Sequence, residues 1–215
     1  MRGSSVAYVA VAAGIAILAG IAASLWWRHG ARDARPLEIG GYVFPEPRSL
    51  GAFELVDESG GKFGPQDFAG RWSFLYFGYT YCPDVCPLAL VELADVKKRV
   101  AERLPSATLG VYFVSIDPER DTPERLREYV TYFDADFRGL TGDPGQLAVL
   151  ANAVGAVYFV PPGQDPKTYL VSHSSSIALL EPSGRLRAVF TSPHVAGQVA
   201  DDFAAIFARY GSTAR

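Results

Sequence analysis

Trp72-Ser73-Phe74-Leu75-Tyr76-Phe77-Gly78-Tyr79-Thr80-Tyr81-Cys82-Pro83-Asp84-Val85-Cys86-Pro87 decides how the rest of this 215-residue chain is read. Trp72 to Tyr79 is a predominantly apolar and aromatic run, the pattern of a buried strand. Pro87 suits the first turn of a helix, where its missing N–H leaves no bond unmade. The spacing therefore predicts a strand over 72–79 and a helix from Pro87 to about Leu104, with apolar Leu88, Val91, Val96 and Val100 among Lys97, Lys98 and Arg99. Cys86 falls at or next to the N-cap, and Cys82 in the loop before it. The positive end of a helix favours a thiolate, the form needed for both thiol exchange and metal ligation. Pro83 stiffens the loop between the two sulfurs.

These are the chain's two cysteines. A static disulfide is one reading of them, because four-residue spacing permits a bridge. A loop so short would constrain the unfolded chain little, so it would be a poor staple. Two inert buried thiols are a second reading, which two prolines at a helix start disfavour. Functional sulfurs are the reading we take forward. A metal site needs a third ligand, and the chain offers three histidines. His29 follows an apolar segment and reads as interfacial, and His194 reads as a cap or surface residue. His173, in Tyr169-Leu170-Val171-Ser172-His173-Ser174, is more readily structural than a ligand on these grounds alone. Two thiolates and one imidazole would form a soft, low-coordinate set suited to copper, above all Cu(I). Structural zinc would call for a fourth ligand.

Outward from the cysteines, strand and helix signals alternate. Short strands are expected at Phe53–Val56 and Leu109–Ile116, and helices are opened by Asp121-Thr122-Pro123-Glu124 and Asp143-Pro144. Val157–Val160 is extended, Pro161–Lys167 a polar loop. Ser175–Leu180 and Arg185–Phe190 form a hairpin around Glu181-Pro182-Ser183-Gly184, and Val195–Tyr210 closes as a helix. That order predicts an α/β domain over residues 48–212, a mixed central sheet flanked by helices, and fits a thioredoxin-like fold.

Val6 to Trp27 carries no charge, and about 20 such residues span a hydrocarbon core of roughly 30 Å. We read residues 1–5 as a tail, 6–27 as a single transmembrane anchor and 28–47 as a linker. Trp26 and Trp27 stand where an interfacial belt is expected. A cleaved signal peptide is the competing reading, with Gly20-Ile21-Ala22 as its cleavage site. Arg28, Arg32 and Arg35 follow the span and only Arg2 precedes it, which would put the domain on the cytoplasmic side. The cysteine chemistry argues for the outer side, and we follow the chemistry. A net charge of −3 argues against a nucleic-acid binder, which usually shows a basic face.

Three stretches in order carry a family resemblance: Cys82-Pro83-Asp84-Val85-Cys86-Pro87 after an aromatic strand, Asp117-Pro118-Glu119-Arg120-Asp121-Thr122-Pro123-Glu124, and Tyr169 to His173 before a hairpin. From about Phe53 to Tyr210, with the preceding anchor, the chain resembles the SCO/SenC copper chaperones. The resemblance implies a thioredoxin-like domain that binds one copper ion, Cu(I) or Cu(II), through Cys82, Cys86 and His173. It implies delivery of copper to, or reduction of cysteines in, the binuclear copper site of cytochrome c oxidase subunit II. It further implies exchange with other periplasmic copper chaperones, and a place on the outer face of a bacterial inner membrane. The family often has Asp before the ligand His, where this chain has Ser172, and another residue where it has Tyr81. The acidic stretch from Asp117 is read as a loop and helix cap. Rival functions are a metal-independent membrane-bound thiol–disulfide reductase, with Cys82 and Cys86 as its catalytic pair, a redox sensor, and a peroxiredoxin-type peroxidase for which Thr80 is thin support.

Overall fold

The computed structural model describes residues 14–24, 36–162, 165 and 168–211. Residues 14–24 lie in a helix, α1, whose side chains are exposed. The remainder of the expected span, with Trp26, Trp27 and His29, lies outside the described residues, as does 28–35 of the expected linker. Among the described residues no helix is long and apolar enough to cross a membrane. Residues 1–37 and 38–215 are separate compact units, and the second holds the sheet.

Its strands are β1 (Gly41–Arg48), β2 (Leu55–Asp57), β3 (Lys62–Phe63), β4 (Trp72–Gly78), β5 (Leu109–Ser115), β6 (Arg138–Thr141), β7 (Tyr158–Phe159), β8 (Ser172–His173), β9 (Ile177–Leu180) and β10 (Leu186–Phe190). The helices are α2 (Val85–Arg103), α3 (Pro123–Phe133), α4 (Pro144–Val154) and α5 (Ala196–Tyr210). Eight strands form one mixed sheet in the order β1-β10-β9-β4-β5-β6-β2-β3, and β7 and β8 pair as a separate ribbon. β4, β5 and β6 are parallel, while β9 runs antiparallel to β4. Every residue of β4 is buried, as its run of aromatics requires of a central strand.

Aromatic pairs fill both sides of this strand. Trp72 and Phe74 meet Phe203 of α5 with ring centroids 5.7 and 5.8 Å apart, while Phe63, Phe68 and Tyr112 form a second cluster. Fully burying such a side chain contributes about 1.5–3 kcal/mol. Thr122 caps α3 by accepting from the Arg125 N–H, and Asp143 caps α4 through the N–H groups of Gly145 and Gln146. The turn at Glu181–Gly184 closes on a Gly184 N–H to Glu181 carbonyl bond of 2.8 Å. Gly184 has φ +75°, a conformation glycine reaches without steric cost.

The structure corrects the sequence reading in two places. Residues 41–47, expected as the end of the linker, belong to an edge strand, Gly41–Arg48, paired to β10. Helix α2 begins at Val85 with Asp84 as N-cap, so Cys86 sits inside its first turn. The buried face of α2 is Cys86, Ala89, Leu90, Leu93, Val96 and Val100, and the apolar Leu88 and Val91 are exposed.

Candidate metal centre

Three elements deliver three side chains to one point. The loop after β4 carries Cys82, the first turn of α2 carries Cys86, and β8 carries His173. The two Sγ atoms and one imidazole nitrogen all lie within 4.8 Å of one another, the one such group of cysteine, histidine or acidic side chains among the described residues. Both cysteines are free thiols. Cys86 Sγ stands 3.3 Å from His173 Nε2, and the Cys86 N–H donates to Cys82 Sγ at 3.4 Å.

His173 arrives by a non-local route. It is placed by the β7–β8 ribbon, where Tyr158 pairs with His173 and Phe159 with Ser172. Its Nδ1 is 3.0 Å from the Ser174 carbonyl. A carbonyl only accepts, so the proton sits on Nδ1 and the lone pair of Nε2 faces the sulfurs. Metal-bound imidazoles are oriented in the same way. Tyr76 and Tyr79 set their rings edge-on to the imidazole, at 6.1 and 6.0 Å with interplanar angles of 86° and 90°.

Cys86 is fully buried and Cys82 is 9% exposed. Burial, together with the neighbouring Cys82, pushes the Cys86 thiol well above its ordinary range. Burial is the largest cause and works against the thiolate expected from the helix N-terminus. A cation beside the sulfur would remove the penalty, since a coordinating thiol gives up its proton. Two sulfurs and an imidazole suit a soft, low-coordinate metal ion. Among the described residues no fourth protein ligand for tetrahedral zinc joins the group.

Gly78 makes the room for Cys86. A Cβ there would stand 2.8 Å from Cys86 Sγ and 2.8 Å from the Phe113 ring, contacts that force a displacement. We expect Gly78→Ala to cost about 1–3 kcal/mol by overpacking and to weaken metal uptake, checked by denaturant unfolding and metal titration.

His194, expected to be a cap or surface residue, is half-buried and hydrogen-bonds the Ser175 carbonyl through Nε2. Thr80 is also part of the local structure: its N–H and hydroxyl donate to the Asp121 carboxylate at 2.9 and 2.6 Å. The sequence reading misses Tyr76 as a wall of the site. Its position two residues before Gly78 in the buried strand is the available signal.

Comparison with known proteins agrees with this geometry. The family model described as SCO1/SenC matches residues 45–208. A Stutzerimonas stutzeri protein is 40% identical over 154 residues, 70% of this chain and 73% of that one. Against the mitochondrial SCO2 homolog of Bos taurus the identity is 33% over 77% of this chain, which spans 62% of that protein's length. The structure of Arabidopsis thaliana ScoI with copper bound superposes with TM-score 0.70 at 31% identity, covering 74% of this chain and 98% of that one. With so much of its length matched by one family model, and with a cysteine–histidine cluster at the head of α2, the chain belongs to the SCO1/SenC family.

Proposed function

We propose that this protein is a copper metallochaperone that holds one copper ion between Cys82, Cys86 and His173. It hands the ion to the binuclear copper site of cytochrome c oxidase subunit II. The observation that carries the reading is the set of two free thiols and one imidazole nitrogen within 4.8 Å, a donor set matched to Cu(I). Copper bound in the Arabidopsis relative supports it. Three protein ligands leave a bound ion open to a fourth, so cargo can pass by ligand exchange with cysteines of a target. Exposed Tyr81, Val85 and Leu88 beside the cysteines give such a target an apolar surface to meet. Other copper chaperones of the same compartment are proposed as donors to the site. The apolar run from Val6 to Trp27 supports a single-pass anchor in a bacterial inner membrane, with the domain in the periplasm.

The test loads the reduced full chain with one equivalent of Cu(I) and mixes it with the purified copper-binding domain of cytochrome c oxidase subunit II. Transfer of copper to that domain, with the chain's cysteines recovered as thiols, is the expected result. If copper is not passed on, and the reduced metal-free chain instead turns the target's disulfide into a dithiol while Cys82 and Cys86 become a disulfide, the protein is a thiol–disulfide reductase.

A further inference from the structure

The acidic stretch after β5 does more than cap a helix. Thr122 takes the cap of α3, which leaves Asp117 and Asp121 for other work. Both carboxylates are buried, at 1% and 0% exposure. They sit on one tight turn, closed by the Asp121 N–H to Asp117 carbonyl bond of 3.0 Å. Each faces a different half of the metal centre. Asp121 accepts from the Thr80 N–H and hydroxyl and from the Ser115 hydroxyl, the last at 2.6 Å. Thr80 lies two residues before Cys82. Asp117 accepts from the Tyr169 hydroxyl and, at 2.5 Å, from Arg120 Nε. Tyr169 lies four residues before His173.

Arg120 closes the arrangement. Its guanidinium donates to the Tyr169 carbonyl at 3.0 Å and lies 3.5 Å over the Tyr169 ring centroid. The same group is 4.9 Å from the ring of Tyr81, which precedes Cys82. Burial and the Asp117 carboxylate push the Tyr169 hydroxyl up to about 12, so it remains a donor at neutral pH.

We propose that the turn from Asp117 to Asp121, with Arg120, is a clasp that fixes the distance between the cysteine loop and the histidine segment. Asp117, Arg120, Asp121 and Tyr169 are positioning residues, and none enters the metal group itself. The only covalent paths between the two halves run through whole elements of the fold, and the segment from residue 168 to β8 has little regular structure of its own. Pre-setting a ligand lowers the ordering cost of binding, and loss of such outer partners typically weakens metal affinity about 10–100-fold. The inference rests on copper as the cargo for its affinity arm, and on no metal for its second arm.

The test uses the full chain with Tyr169→Phe, Asp117→Asn and, as a control for general loosening, Glu58→Gln at a distant ion pair with Arg138. Competitive titration with Cu(I) should show affinity reduced about tenfold or more in the first two variants with one ion still bound. Amide hydrogen exchange of the metal-free protein should quicken at residues 168–174 in both variants, and in Asp117→Asn also in the turn from Asp117 to Asp121, with elements remote from the clasp unchanged. The control should move neither quantity. Unchanged exchange at 168–174 in Tyr169→Phe would overturn the clasp, whether or not the wild-type chain takes up copper. Absence of copper uptake by the wild type would overturn the proposed function and leave the exchange result to decide the clasp. Tyr169→Phe removes a single hydroxyl, so it carries the test if Asp117→Asn does not fold.

Discussion

Cys86→Ala will abolish stoichiometric copper binding, and Cys82→Ala will do the same. Each removes one of two sulfurs from a set of three donors, so a Cu(I) ion would be left with one thiolate and one imidazole. The loss should exceed the roughly 10–100-fold that removal of an outer hydrogen-bond partner costs. His173→Ala should retain weak two-sulfur binding and lose the nitrogen ligand. The check is Cu(I) titration of the reduced full chain against a competing chelator. The alanine variants should keep the fold, because Gly78, Phe113 and Tyr76 already wall the cavity around Cys86 and lose one sulfur's packing. Copper binding of wild-type strength in Cys86→Ala would mean that the ion sits elsewhere.

Glu181→Ala will produce the largest loss of stability away from the metal centre. Glu181 and Arg187 are 1% and 5% exposed. Arg187 gives Nε and Nη2 to one oxygen of Glu181 at 3.0 and 2.6 Å. Its Nη1 bonds the carbonyls of Phe44 and Pro45 at 2.9 and 3.0 Å, and its plane lies 4.1 Å over the Tyr210 ring centroid. Removing the acid strands a buried cation, for which about 3–5 kcal/mol is typical. For a domain of this size that lowers Tm by on the order of 10 °C. Thermal unfolding followed by circular dichroism checks it; a change below about 1 kcal/mol would show that the pair is worth little beyond packing. Copper stoichiometry in folded Glu181→Ala should remain that of the wild type.

What is legible in the sequence tracks how local each cause is. β4 and α2 can be read to within two residues, because an aromatic run and a proline act on their own neighbourhood. The helix starts at Asp121-Thr122-Pro123 and Asp143-Pro144 are readable for the same reason, since a cap bonds two or three residues along the chain. The choice of Thr122 over Asp121 as cap needs the structure. β1 is not readable. Pro45 and Pro47 argue against a strand by propensity, but at a sheet edge a missing N–H is tolerated, and its pairing with β10 shifts register between Val43 and Arg48.

The candidate site divides in the same way. Cys82 and Cys86 announce themselves by spacing. His173 needs the β7–β8 ribbon, a pairing that no local pattern reveals. The burial that opposes a thiolate at the head of α2 is invisible to a dipole argument made from sequence. Leu88 and Val91 stay exposed because apolar residues on α2 exceed what one stripe can bury. Asp117 and Asp121 look like a single cap because nothing along the chain says that Tyr169 comes to meet one and Thr80 the other.

The most direct measurement of the central claim is X-ray absorption at the copper edge of the full chain loaded with one equivalent of Cu(I). The account predicts two sulfur scatterers and one imidazole nitrogen per copper, with the nitrogen lost in His173→Ala. Copper surrounded by oxygen and nitrogen alone, or washed from the reduced wild-type chain during desalting, would contradict it.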